Sequence, residues 1–133
     1  MGAVVVGYVA KPEGEAAVEQ GIAEARLRNA SLIVVNSHRG GREYDEEASV
    51  QSAQDLAALD ARLKESGLQY DLRQLVRGFE PAEDLISIAE SSSAELIVIG
   101  LRRRTPVGKL ILGSNAQRIL LDAPCPVLAV KVG

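Results

Sequence analysis

The chain has 133 residues, 47% of them hydrophobic and 25% charged, the composition of an ordinary soluble globular domain, so one core is expected rather than two. With 15 Lys+Arg against 18 Asp+Glu the net charge is -3, which leaves no global field for nucleic acid or an anionic membrane, and any anion site must be local. A single cysteine, Cys125, allows no internal disulfide, and no stretch of about 18 apolar residues suggests a membrane span, so a reducing cytoplasm is the expected home.

Five apolar, β-branched runs alternate with four helical patterns. The first run, AVVVGY, begins at Ala3. A helix is predicted from Pro12, whose fixed φ and missing N–H suit a first turn, with Glu13 and Glu15 favouring the dipole and Val18, Gly21, Ile22 and Ala25 on one face. LIVVNS follows at Leu32. The polar segment 37–47, which contains His38, then leads to a second helix over about Glu47 to Ser66. Its inward face is predicted as Val50, Ala53, Leu56, Ala57 and Leu63, with a stop at Gly67. The third run, YDLRQLV, mixes apolar and charged residues and suits a sheet edge. A third helix is predicted from Pro81, burying Leu85, Ile88 and Ala89, and ELIVIG from Glu95 forms the fourth run. A fourth helix follows Ser114, with Ala116, Ile119, Leu120 and Ala123 inward; Pro124 and Pro126 bar its extension before the last run, PVLAVKV.

Repeated strand and helix predict an α/β sheet with right-handed crossovers and helices on both faces, its first, second, fourth and fifth strands buried on both sides. In such sheets ligands bind outside the carboxyl ends of the strands, where neighbouring connections leave on opposite faces. Gly100 ends the fourth run, so Arg102, Arg103 and Arg104 are predicted at that rim. The helix after Gly113 and Ser114 offers unpaired N–H groups and a positive dipole end to an anion. Ser114 with Gln117 also reads as a capping box. His38 has no second ligand at metal spacing, Lys109 lacks the Ser or Thr of a P-loop, and no nucleophile elbow or H-E-x-x-H occurs, so neither a metal site nor an enzyme is expected.

VVVGYVAKPEGEAAV, SAELIVIG and GKLILGSNAQRILLDAPCPVLAVK together resemble the universal stress protein family over essentially the whole chain. The resemblance implies one domain over 1–133: a three-layer sandwich with a five-stranded parallel sheet in the order 3-2-1-4-5, adenine nucleotide alpha hydrolase-like (Rossmann-like). It also implies binding of ATP or a related adenine nucleotide between strands one and four, in a regulatory stress-response role. Nucleotide-binding members carry G-x-x-G, nine residues and G-[ST]. Gly100, Gly113 and Ser114 match, whereas Arg103 stands at the second glycine and Gly108 falls in another register. The acidic residue expected to reach the ribose is Val9, and the residue beside adenine falls near Ser37.

The resemblance thus places the phosphates at Gly100, Arg102, Arg103, Gly113, Ser114 and Asn115, with Val9 and Ser37 toward ribose and base. An arginine supplies charge and a bidentate fork where the glycine is lost. Any magnesium would be held mainly by phosphate and water, since Val9 is apolar. The family also implies a homodimer through the last strand and an unidentified protein partner. The alternative is a nucleotide-free dimer acting through protein surfaces.

Overall fold

The computed structural model describes residues 2–38, 46–76, 81–101 and 112–132. In chain order the elements are β1 (Ala3–Gly7), α1 (Pro12–Arg28), β2 (Ser31–His38), α2 (Glu46–Glu65), β3 (Tyr70–Val76), α3 (Pro81–Ser91), β4 (Leu96–Leu101), α4 (Ser114–Asp122) and β5 (Val127–Lys131). The strands form one parallel sheet in the order β3-β2-β1-β4-β5, as the resemblance implied. Register sets Val5 of β1 beside Ile33 of β2 and Ile97 of β4, so the apolar strand β1 lies at the centre.

Alternation along the central strands divides the core in two. Val4, Val6, Leu32, Val34 and Val98 meet α1 and α2, through Val18, Ala25, Leu59 and Leu63. Val5, Ile33, Val35, Ile97 and Ile99 meet α3 and α4, through Leu85, Ile88, Ala89 and Ile119. A strand covered on both faces needs apolar side chains of both parities, hence the continuous Val/Ile/Leu runs. The chain therefore winds outward from β1 to β3 with helices on one face, then crosses to β4 and winds outward again on the other.

The helix ends follow local chemistry. Pro12 occupies the first turn of α1, and Asn29, in the left-handed region at φ 53°, turns its N–H back to the carbonyls of Ala25 and Arg26. Gly67, at φ 75°, reverses the chain after α2 in a conformation that side chains resist.

Three expectations are corrected. The inward stripe of α2 is Leu56, Leu59 and Leu63, while Val50 is 57% exposed and Ala53 and Ala57 face solvent. Adjacent positions lie about 100° apart on a helix, and the larger leucines decide which stripe meets the sheet. On α4, Ile119 is buried but Leu120 is exposed. Strand β5 is only half-buried because it has a neighbour on one side alone.

Candidate functional site

A cleft of about 240 Å³ lies over the carboxyl ends of β1, β2 and β4 on the α3/α4 side. It sits where the connection from β1 leaves on one face and that from β4 on the other, the switch point of this topology. Val35, Leu85 and Ile99 give it an apolar floor, the turn from Tyr8 to Lys11 forms one rim, and the start of α4 forms the opposite rim. Apolar surface with a few convergent polar groups is the usual character of a small-molecule site.

At the α4 rim the capping box is corrected. Gly113 is the N-cap, with extended backbone, and its carbonyl accepts the first intrahelical bond from the N–H of Gln117 at 3.0 Å. Ser114 is already inside the helix and exposed, no side chain among the described residues caps the end, and the Gln117 amide donates to the Leu112 carbonyl at 3.3 Å. The first N–H groups of α4 are thus left for solvent or an anion, at the positive end of the helix dipole.

The two matched glycines serve different ends. A methyl group on Gly113 would meet nothing within 4 Å, so the fold itself does not require glycine there. A methyl on Gly100 would stand 2.0 Å from the carbonyl oxygen of Glu13, so the bare Cα of β4 lets the first turn of α1 dock. Gly14 does the same from the helix side, where a Cβ would come within 1.7 Å of the Val9 carbonyl oxygen. Together they clamp the turn that carries Val9 and Lys11 against the sheet.

Ser37, at the end of β2, lines the cleft, and its hydroxyl donates to the carboxylate of Asp84 on α3, which is only 6% exposed. Asn115 reaches the cleft wall, but its side-chain carbonyl accepts from the N–H of Ala82 at 3.2 Å and so caps α3. Only the amide NH₂ end remains to meet a phosphate. Val9 is 45% exposed at the rim, with Lys11 beside it. Arg102, Arg103 and Arg104, with Gly108 and Lys109, lie outside the described residues.

The sequence reading missed two buried polar groups next to the cleft. Tyr8 is buried, and its hydroxyl donates to Glu15 at 2.9 Å; Glu15 in turn takes Arg62 of α2 at 2.6 Å, and Arg62 also holds Glu19. Burial, then the Glu15 carboxylate, pushes the Tyr8 phenol well above its ordinary range. Asp84 reads in sequence as one more helix-surface acid. Its burial depends on β2 ending beside α3, which no local pattern records. Cys125 is half-buried among apolar side chains, and burial pushes its thiol up, which suits a packing role. Among the described residues no group of three or more His, Cys, Asp or Glu is placed to hold a metal ion.

The universal stress protein family model matches residues 1–131. This chain belongs to the universal stress protein family. It is 48% identical over 128 residues to a universal stress protein of Mycolicibacterium smegmatis, with 96% of each chain covered. A universal stress protein from Archaeoglobus fulgidus, solved in complex with dAMP, superposes with a TM-score of 0.79 at 30% identity, covering 98% of each chain. Another universal stress protein, solved in complex with cAMP, gives a TM-score of 0.73 at 25% identity, covering 99% of this chain and 98% of the other. The fold is the adenine nucleotide alpha hydrolase-like fold that the universal stress proteins share. Among the described residues, no helix is long and apolar enough to cross a membrane.

Proposed function

We propose that this universal stress protein binds an adenine nucleotide, ATP or a close relative, across the cleft at the β1/β4 switch point and acts as a regulatory module in the cytoplasm rather than as an enzyme. The observation that carries this reading is the pairing of an apolar floor with the uncapped start of α4, where Gly113 leaves open space that its own fold does not need filled. The adenine nucleotides bound by two relatives of the same fold support it. In this reading the phosphates lie against the backbone of Gly100 and Gly113, the Ser114 hydroxyl and the Asn115 amide, with Arg102 and Arg103 as the cationic partners. The ribose lies beside Val9 and the base beside Ser37. The phosphates and water, rather than residue 9, carry any accompanying magnesium.

One experiment tests it. The freshly purified protein is denatured, released nucleotide is identified by absorbance and mass, and ATP is titrated calorimetrically into the stripped protein. Bound adenine nucleotide, or micromolar ATP binding weakened by Ser114→Ala, is the expected result. No release and no heat at millimolar ATP would refute it.

The apolar, exposed Val9 favours a second reading, in which the protein binds no nucleotide and works as a dimer through its surfaces. The half-buried β5 edge supports a homodimer in either reading. The same titration separates the two.

A further inference from the structure

Ser37 and Asp84 form a directional pair at one end of the cleft. Asp84 is buried on the first turns of α3, Ser37 is half-buried at the end of β2, and the serine hydroxyl donates to the carboxylate. A hydroxyl has one proton and two lone pairs, and an ionised carboxylate only accepts. With that proton held toward Asp84, what Ser37 presents to the cleft is acceptor character alone. Such a group attracts a ligand N–H and repels a carbonyl.

The fold also says which part of a nucleotide Ser37 would face. The uncapped α4 terminus follows β4, Ser37 ends β2, and β1 lies between them. The carboxyl ends of β2 and β4 lie two strand spacings apart, about 10 Å, which is room for a sugar between a base at one and phosphates beyond the other. An anion held at α4 therefore directs the base toward Ser37. Adenine carries an amino group, a donor, where hypoxanthine and guanine carry a carbonyl, an acceptor.

We propose that the Ser37 hydroxyl, oriented by Asp84, is a specificity-determining group that selects a base bearing an exocyclic amine over one bearing a carbonyl at the same place. The inference rests on the nucleotide reading of the cleft. Asp84 acts through Ser37 and is a positioning residue. Two acceptors facing one another leave a half-buried polar group unpaired, which corresponds to roughly tenfold in affinity.

The test is calorimetric titration of ATP and ITP into the full chain and its Ser37→Ala and Asp84→Asn variants, with urea unfolding to verify that each variant folds. The wild type is expected to bind ATP roughly tenfold more tightly than ITP. Ser37→Ala brings the two within about threefold, chiefly by weakening ATP, since the acceptor is gone. Asp84→Asn erases or inverts the preference, because an amide NH₂ can donate to the serine oxygen and turn its proton toward the cleft. A merely structural role for Asp84 would weaken both ligands and leave their ratio unchanged. Equal binding of ATP and ITP by the wild type, or a preference that survives in Ser37→Ala, overturns the inference while leaving nucleotide binding intact. Failure of the wild type to bind either nucleotide removes the reading beneath it and the inference together. If Asp84→Asn does not fold, the Ser37→Ala ratio decides alone.

Discussion

A methyl group added to Gly100 or to Gly113 should have opposite consequences, although both glycines match the same sequence motif. At Gly100 the new carbon would lie 2.0 Å from the Glu13 carbonyl oxygen and 2.5 Å from its carbonyl carbon. Both are backbone atoms at the start of a helix, so relief requires α1 to shift off the sheet rather than a side chain to rotate. Overpacking of this kind costs typically 1–3 kcal/mol, and the rigid neighbour puts Gly100→Ala at the upper end, about 3 kcal/mol. At about 4 °C per kcal/mol, that lowers Tm by roughly 12 °C. At Gly113 the methyl meets nothing within 4 Å and the backbone is in an extended region that alanine adopts freely. Gly113→Ala should therefore change stability by no more than about 1 kcal/mol, since the gain through the unfolded chain opposes the poorer fit of alanine at an N-cap. It should nonetheless weaken ATP, by crowding the approach of a phosphate to the α4 terminus. Urea unfolding and ATP calorimetry on the same preparations read both effects. A Gly113→Ala variant that loses more than about 1 kcal/mol, or a Gly100→Ala variant as stable as the wild type, would refute the steric assignment of the two glycines.

Val9→Asp restores an acceptor toward the ribose, and should tighten ATP about three- to tenfold in a titration with little change in stability, since residue 9 is 45% exposed; an unchanged affinity would remove the ribose from this rim. Tyr8 keeps its proton in the folded state to a higher pH than an unfolded tyrosine, whose phenol ionises near about pH 10. Its contribution to stability is thus full below about pH 10 and is lost as pH rises through the folded value, so urea midpoints should fall above that point, less steeply in Tyr8→Phe. Leu63, with no exposed surface in the α1/α2 core, should cost about 2–5 kcal/mol on truncation to Ala, seen as a lower urea midpoint. Light scattering should report twice the 14.1 kDa chain mass; a single-chain mass would refute pairing through β5.

Much of this was legible without coordinates. The central strands announce themselves because burial on both faces demands apolar residues at every position, as in Val4, Val5 and Val6. Pro12, Gly67 and Pro81 mark helix ends through backbone chemistry that needs no neighbour. The stripe on α2 was misread because Val50, Ala53 and Ala57 repeat with the same helical period as Leu56 and Leu63. Periodicity proposes stripes, and only the sheet selects one. Ser114 looked like a cap for a similar reason: the residue types suit a capping box, but the helix begins one position earlier than that motif requires.

What the sequence by itself determined is the alternation of strands and helices, the position of the cleft at the end of β4 and the α4 terminus within it, because these follow from local periodicity and from the handedness of crossovers. Only the tertiary structure decided what each glycine is for, that Asn115 caps α3, and that Ser37 turns its proton to Asp84. Those facts join residues more than thirty positions apart in the chain, Ala82 with Asn115 and Ser37 with Asp84. Their direction, donor or acceptor, crowded or open, is set by which elements the sheet brings together.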